Sequence, residues 1–136
     1  MRYTRGPDPG IDPTRERIAG YRDQQARLGF SKWLVLDKRT NAPIGDAGLL
    51  CLPEVGPLPD LGYRLIRSQW GHGLGSEVAN AWVSAAFDVL GLTGVSAFAH
   101  LDNLASHRVL EKAGFARTGR LTIMGMESYA FVRFND

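Results

Sequence analysis

Three glycines in six residues, Trp70-Gly71-His72-Gly73-Leu74-Gly75, stand between a strand-like segment and the most strongly periodic helical segment of the chain. The start of a helix exposes backbone N–H groups that have no partner four residues back, at the positive end of the helix dipole. Glycines let the chain turn sharply there and let an anion reach the amides. A phosphate at such a place would take several charge-assisted bonds worth roughly 1.5–3 kcal/mol each, so the chemistry suggested is the holding of a phosphate-bearing ligand. The spacing rules out two common versions. No Gly-Lys-Ser/Thr follows, as a P-loop requires, and Gly-x-Gly-x-x-Gly fails from either start, because the sixth position falls on Ser76 or Val78. The same turn also suits plain tight packing of a helix on a strand, and alone it does not decide between the two.

A second group of polar residues, Asn103-Leu104-Ala105-Ser106-His107-Arg108, opens a later helix. Asn103 suits an N-cap, and Ser106 places a hydroxyl one turn on. His72, His100 and His107 match no zinc spacing, and Cys51 is far from them in sequence, so no metal site is expected. Cys51 itself reads as a buried strand residue, and Trp33 and Trp82 read as core.

The elements that would position these groups can be read from periodicity. Residues 1–11 are polar and rich in Pro and Gly and suggest an extended arm; residues 12–136 form one domain. Asp12 and Pro13 suggest the cap and first residue of a helix, with Ile18, Tyr21, Gln25 and Leu28 on its inner face and Gly29 as its stop. Lys32–Asp37 and Ile44–Leu52 read as an antiparallel hairpin turned at Asn41-Ala42-Pro43, and Asp60–Ile66 as a third strand after the loop marked by Pro53, Pro57 and Pro59. The helix Ser76–Leu90 carries a broad apolar stripe through Val78, Ala79, Trp82, Val83, Ala86, Phe87 and Leu90. A strand, Val95–His100, follows it, then a short helix, Asn103–Lys112, closed by Gly114, and one or two strands within 121–134. Strand, helix and strand in this order predict a parallel pair. The fold class expected is therefore α/β with a mixed sheet: an antiparallel meander, then one parallel crossover.

The chain has 136 residues, enough for one core, and 16 basic residues against 14 acidic leave a net charge of only +2, too little to argue for nucleic acid. A single cysteine allows no internal disulfide and suits a reducing, cytoplasmic setting. No apolar run is long enough to span a membrane, and the first ten residues lack the apolar core of a secretory signal.

Taken in order, Gly62-Tyr63, Trp70-Gly71-x-Gly73-x-Gly75-x-Glu77 and Asn103-x-x-Ser106-x-x-x-Leu110-x-Lys112-x-Gly114-Phe115 resemble the GCN5-related N-acetyltransferase family, most closely its ribosomal-protein N-terminal acetyltransferase branch, over roughly residues 30–134. The resemblance implies transfer of an acetyl group from acetyl-CoA to a primary amine, with a catalytically silent acetyl-CoA- or CoA-binding module as the alternative. It implies that Leu65, Ile66 and Arg67 bond the pantetheine arm, that Gly71, His72, Gly73, Leu74, Gly75 and Ser76 surround the pyrophosphate, and that Asn103 reaches the pantetheine amide. It implies Asp60 as the base, an N–H of Ile66 as the oxyanion donor and Ser106 as the acid for the leaving thiolate, with Tyr129 a weaker second acid and Tyr63 bordering the acceptor. Measured against the family, an opening strand and helix are expected to be missing, and the edge thus exposed would favour a homodimer.

Overall fold

The computed structural model describes residues 11–136. Helix α1 (Ile11–Leu28) leads into strands β1 (Lys32–Leu36), β2 (Pro43–Leu50) and β3 (Asp60–Leu65). A single 3-10 turn, Arg67–Gln69, precedes helix α2 (Leu74–Ser84), which widens into a π turn over Ala85–Val89. Strand β4 (Gly94–His100), helix α3 (Leu104–Lys112), β5 (Ala116–Ile123) and β6 (Met126–Phe134) complete the order. The sheet runs β1-β2-β3-β4-β6-β5. Only β3 and β4 pair in parallel, with α2 as their crossover; the other neighbours are antiparallel. This is the mixed α/β sheet expected from the sequence. None of the helices is long and apolar enough to cross a membrane, among the described residues.

The core forms where the stripe of α2 meets one face of the sheet. Ala79, Val83 and Ala86 pack on Leu49, Leu61, Val95 and Ala97, and Leu110 of α3 and Phe131 of β6 close the end. Side chains alternate along a strand. Leu61, Tyr63 and Leu65 of β3 therefore share the helix-covered face, while Asp60, Gly62 and Arg64 point to the other. Full burial of a Leu or Phe contributes about 1.5–3 kcal/mol; this shared interface fixes α2, and with it the glycine turn.

Several expectations change. Helix α1 starts by Ile11, so Asp12 lies inside it rather than capping it, and the arm at residues 1–10 falls outside the described residues. Ile18 and Leu28 are exposed, and among the described side chains of α1 the buried one is Gln24. Its amide nitrogen donates to the carbonyls of Phe30 (3.0 Å) and Leu49 (2.9 Å), and its carbonyl accepts from the Cys51 N–H (3.1 Å). Cys51 is exposed just past β2 rather than buried within it. Trp33 is 57% exposed, held edge-on against Trp82 at 5.5 Å and donating to Gln25 at 2.8 Å. Strand β5 begins at Ala116, five residues earlier than expected.

Candidate active site

The parallel pair is short. β3 and β4 are in register only at Asp60 with Ser96 and Leu61 with Ala97, after which they part. Amide groups on a strand alternate in direction. The N–H of Ile66 donates to the Ile44 carbonyl of β2 at 2.8 Å, so the even-numbered residues of β3 face β2 and the odd-numbered Tyr63 and Leu65 face the gap. This overturns the oxyanion role expected for Ile66: its N–H is already held by the neighbouring strand. Arg67 has left the strand for the 3-10 turn, where its guanidinium lies over the Trp70 ring at 5.7 Å. The edge lining the gap is thus Tyr63 and Leu65, a parity that register sets.

At the far end of the gap sits the glycine turn. The Trp70 indole N–H donates to the Leu65 carbonyl at 2.9 Å, tying the turn to the end of β3. Gly71 and Gly73 have φ of 81° and 77°, and a Cβ built on either would meet nothing within 4 Å. Conformation, not crowding, requires glycine there, which removes the tight-packing account of these two residues. Helix α2 starts at Leu74, two residues earlier than expected, with Gly73 as its N-cap and no side chain capping it. The first helical bond runs from Glu77 N–H to the Gly73 carbonyl. The amides of Leu74, Gly75 and Ser76 therefore have no partner four residues back. His72 is exposed beside them. Gly75 differs, because a Cβ there would meet Tyr63 at 3.5 Å and Val109 at 3.6 Å, so it is part of the packing of α2 against α3.

Asn103 is the N-cap of α3, its Oδ1 accepting from Ser106 N–H at 3.2 Å. The Tyr63 hydroxyl donates to Ser106 Oγ at a long 3.4 Å. Burial raises the Tyr63 pKa above its ordinary value, against a smaller opposing effect from Ser106, so the phenol keeps its proton. The structure thus sets Tyr63 beside Ser106 on the helix side of the sheet. Alternation with Leu61 and Leu65 was the sequence signal that could have placed it there. Tyr129 is occupied otherwise, with the Arg117 guanidinium 3.8 Å over its ring and His107 edge-on at 5.3 Å. His107 is buried, with Nε2 2.9 Å from the His100 carbonyl.

Asp60 lies at the point where the strands part. It is 3% exposed, and its Oδ1 accepts from Ser96 Oγ at 2.9 Å. Burial pushes its pKa up to about 7; the Ser96 bond and Lys32 pull the other way, and Glu54 adds a small further push upward. On the same face Asp46 takes Lys32 Nζ at 3.1 Å and Arg64 Nη2 at 2.7 Å. Burial lowers the Lys32 pKa even so. Its ammonium lies across Gly62, where a Cβ would stand 3.1 Å from Nζ. Lys32 was not singled out from the sequence, and it is the cation whose field reaches Asp60.

The central parallel strands of the sheet splay, and the uncapped mouth of α2 lies at the open end. The chain belongs to the acetyltransferase (GNAT) domain family, whose model matches residues 1–116. It is 36% identical over 90 residues to the uncharacterized N-acetyltransferase YoaA of Bacillus subtilis, an alignment covering 66% of this chain and 51% of that one. The chain thus spans about half the length of this curated relative. In fold it is similar to a putative GnaT-family acetyltransferase from Bordetella pertussis (TM-score 0.85, 21% identity, covering 93% of this chain and 78% of that one). A second similar structure is RimL, a ribosomal L7/L12 alpha-N-protein acetyltransferase in complex with coenzyme A (TM-score 0.77, 20% identity, covering 92% and 73%).

Proposed function

We propose that the chain is an N-acetyltransferase domain that transfers the acetyl group of acetyl-CoA to a primary amine. The observation that carries this reading is the gap between β3 and β4 with the uncapped mouth of α2 at its end. Pantetheine would lie along β3 as an added strand, bonding the gap-facing groups of Tyr63 and Leu65. The pyrophosphate would take the amides around Gly73, Leu74, Gly75 and Ser76. Membership of the family and the coenzyme A held by the structurally similar RimL support the choice of ligand.

The chemistry follows from the groups at the two ends of the vertex. The amine nitrogen attacks the thioester carbonyl and forms the C–N bond. Its proton passes to the Asp60 carboxylate, directly or through water. The gap-facing N–H of Tyr63, the one nearer the vertex, would hold the oxyanion. As the C–S bond breaks, the CoA thiolate takes a proton from Ser106, which Tyr63 backs.

Thermal melts with acetyl-CoA, ATP and NAD test the reading. Saturation at a hundred times the dissociation constant adds about 2.7 kcal/mol, and acetyl-CoA alone should give that gain. Gly73→Glu, placing a carboxylate at the helix mouth in a left-handed position, should abolish it while the protein stays folded. An unchanged gain in the variant means the phosphates bind elsewhere. Release of free thiol in the presence of amines tests the transfer itself.

A further inference from the structure

On the sheet face away from α2 and α3, the loop between β2 and β3 folds over β4, β6 and β5 and encloses an open cleft of about 240 Å³. Val55, Pro57 and Leu58 form its roof, and Ala130 and Val132, with the main chain of Phe131 between them, much of its floor. Thr118 of β5 stands at the rim, exposed. Among the described residues, no charged side chain lines this cleft. Two further lining residues place it. Ala97 is the last β4 residue paired with β3, so the cleft ends where the gap begins. Ser96 is the residue whose hydroxyl donates to Asp60. One end of the cleft therefore meets a buried carboxyl and the vertex of the gap, and the rest is apolar.

We propose that this cleft is the acceptor site and that it takes a primary amine carrying one uncharged apolar substituent, the nitrogen lying at the Ser96–Asp60 end and the substituent under Val55 and Leu58. Size agrees, since an apolar cavity of about 150 Å³ already admits benzene. Charge agrees too. A polycation would have to place its further ammonium groups against apolar walls, losing their hydration without a partner. The cleft and the gap reach the vertex from opposite faces of the sheet, so amine and thioester can meet there without competing for space. The inference rests on the acetyltransferase reading for its nitrogen chemistry, but the binding it describes can be measured apart from transfer.

The experiment uses the protein saturated with CoA, which cannot react, and titrates 2-phenylethylamine, the amide of leucine, a peptide beginning with Leu, and spermidine. The three apolar amines are expected to bind and spermidine is not; the peptide arm separates a chain N-terminus from a free amine. Thr118→Trp projects a ring into the cleft from an exposed strand, and Val132→Phe narrows the floor as a second variant. Each should weaken apolar amine binding at least tenfold and raise KM for the amine in thiol release by the same factor, with the acetyl-CoA melting shift unchanged. Binding without transfer on any amine upholds the cleft and rejects the transferase reading. Transfer with the amine KM unmoved in both variants, or spermidine preferred, overturns the cleft and leaves the transferase reading standing. No binding of any amine overturns the cleft.

Discussion

Replacing Asp60 by asparagine should separate stability from activity, and the structure gives the size and sign. The Asp60 pKa stands at about 7 in the folded chain against 3.8 for the free side chain. An acid raised on folding keeps a proton that the unfolded chain gives up. Its stabilising effect is therefore complete below about pH 3.8 and is lost as pH rises to about 7. Taking 1.36 kcal/mol for each unit, the full loss is about 4 kcal/mol. The window from pH 5 to pH 8 contains most of it. Against its own burial, Asp46 is held below the carboxylate range by Arg64 and Lys32 and stays ionised throughout that window, so it adds no slope. The asparagine side chain keeps the shape and can still accept from Ser96, but has no charge to bury. Urea titrations at pH 5 and pH 8 should show wild type losing about 2.6 kcal/mol between the two while Asp60→Asn stays level, leaving the variant the more stable protein at pH 8. The same variant should lose the proton acceptor, about 10²–10⁴-fold in kcat/KM, together with the limb that rises through pH 7. A wild type as stable at pH 8 as at pH 5, or a variant with the same slope, would refute the burial argument. A variant with undiminished transfer would refute the role as base.

Asp46→Ala leaves the Lys32 ammonium, whose side chain is only 10% exposed, without its carboxylate; a loss of about 3 kcal/mol in urea titration is expected, the low end for a broken buried pair because Asp46 is itself part exposed. Ser106→Ala should lower kcat with little change in KM for acetyl-CoA, and Tyr63→Phe should do so more weakly, as steady-state kinetics with a fixed amine will show. Strand β1 is a sheet edge that shows Trp33, Leu34 and Leu36 to solvent, and such edges invite pairing. Light scattering should find a dimer that Leu34→Lys dissociates; a monomer mass at working concentration refutes it.

What the sequence showed depended on whether a signal was local. Gly29, with φ of 82°, ends α1 where periodicity placed its stop, because a C-terminal glycine is a backbone requirement written in one residue. The inner stripe of α2 was equally plain, since seven apolar residues at helical spacing can bury only one way. Gln24 was invisible for the opposite reason. It is polar, and what makes it fit the interior is three bonds to the main chain at Phe30, Leu49 and Cys51, none of which its neighbours in sequence reveal. Strand β5 hid its first half because Arg117, Thr118 and Arg120 are all exposed, and a strand with no buried alternation has no period to read.

The choice of backbone donor shows the same limit at the site itself. Of Leu65, Ile66 and Arg67, expected along the gap, Leu65 turns to it, Ile66 bonds β2 and Arg67 has left the strand; one position reverses the direction of every N–H on a strand. Register decides, and register here is set by Gly45 standing opposite Leu65. With that pairing, Ile66 must bond Ile44, and Tyr63 and Leu65 must turn toward the gap. The same pairing sends Asp60 and Arg64 to the open face and Tyr63 to the helix side beside Ser106. A single register therefore places the candidate base and Tyr63, which backs the candidate acid Ser106, on opposite faces of one strand, with the proposed thioester between them. A one-residue slip would put both on the wrong sides at once, so the β2–β3 pairing, far from any reacting atom, carries as much of the mechanism as the residues named in it.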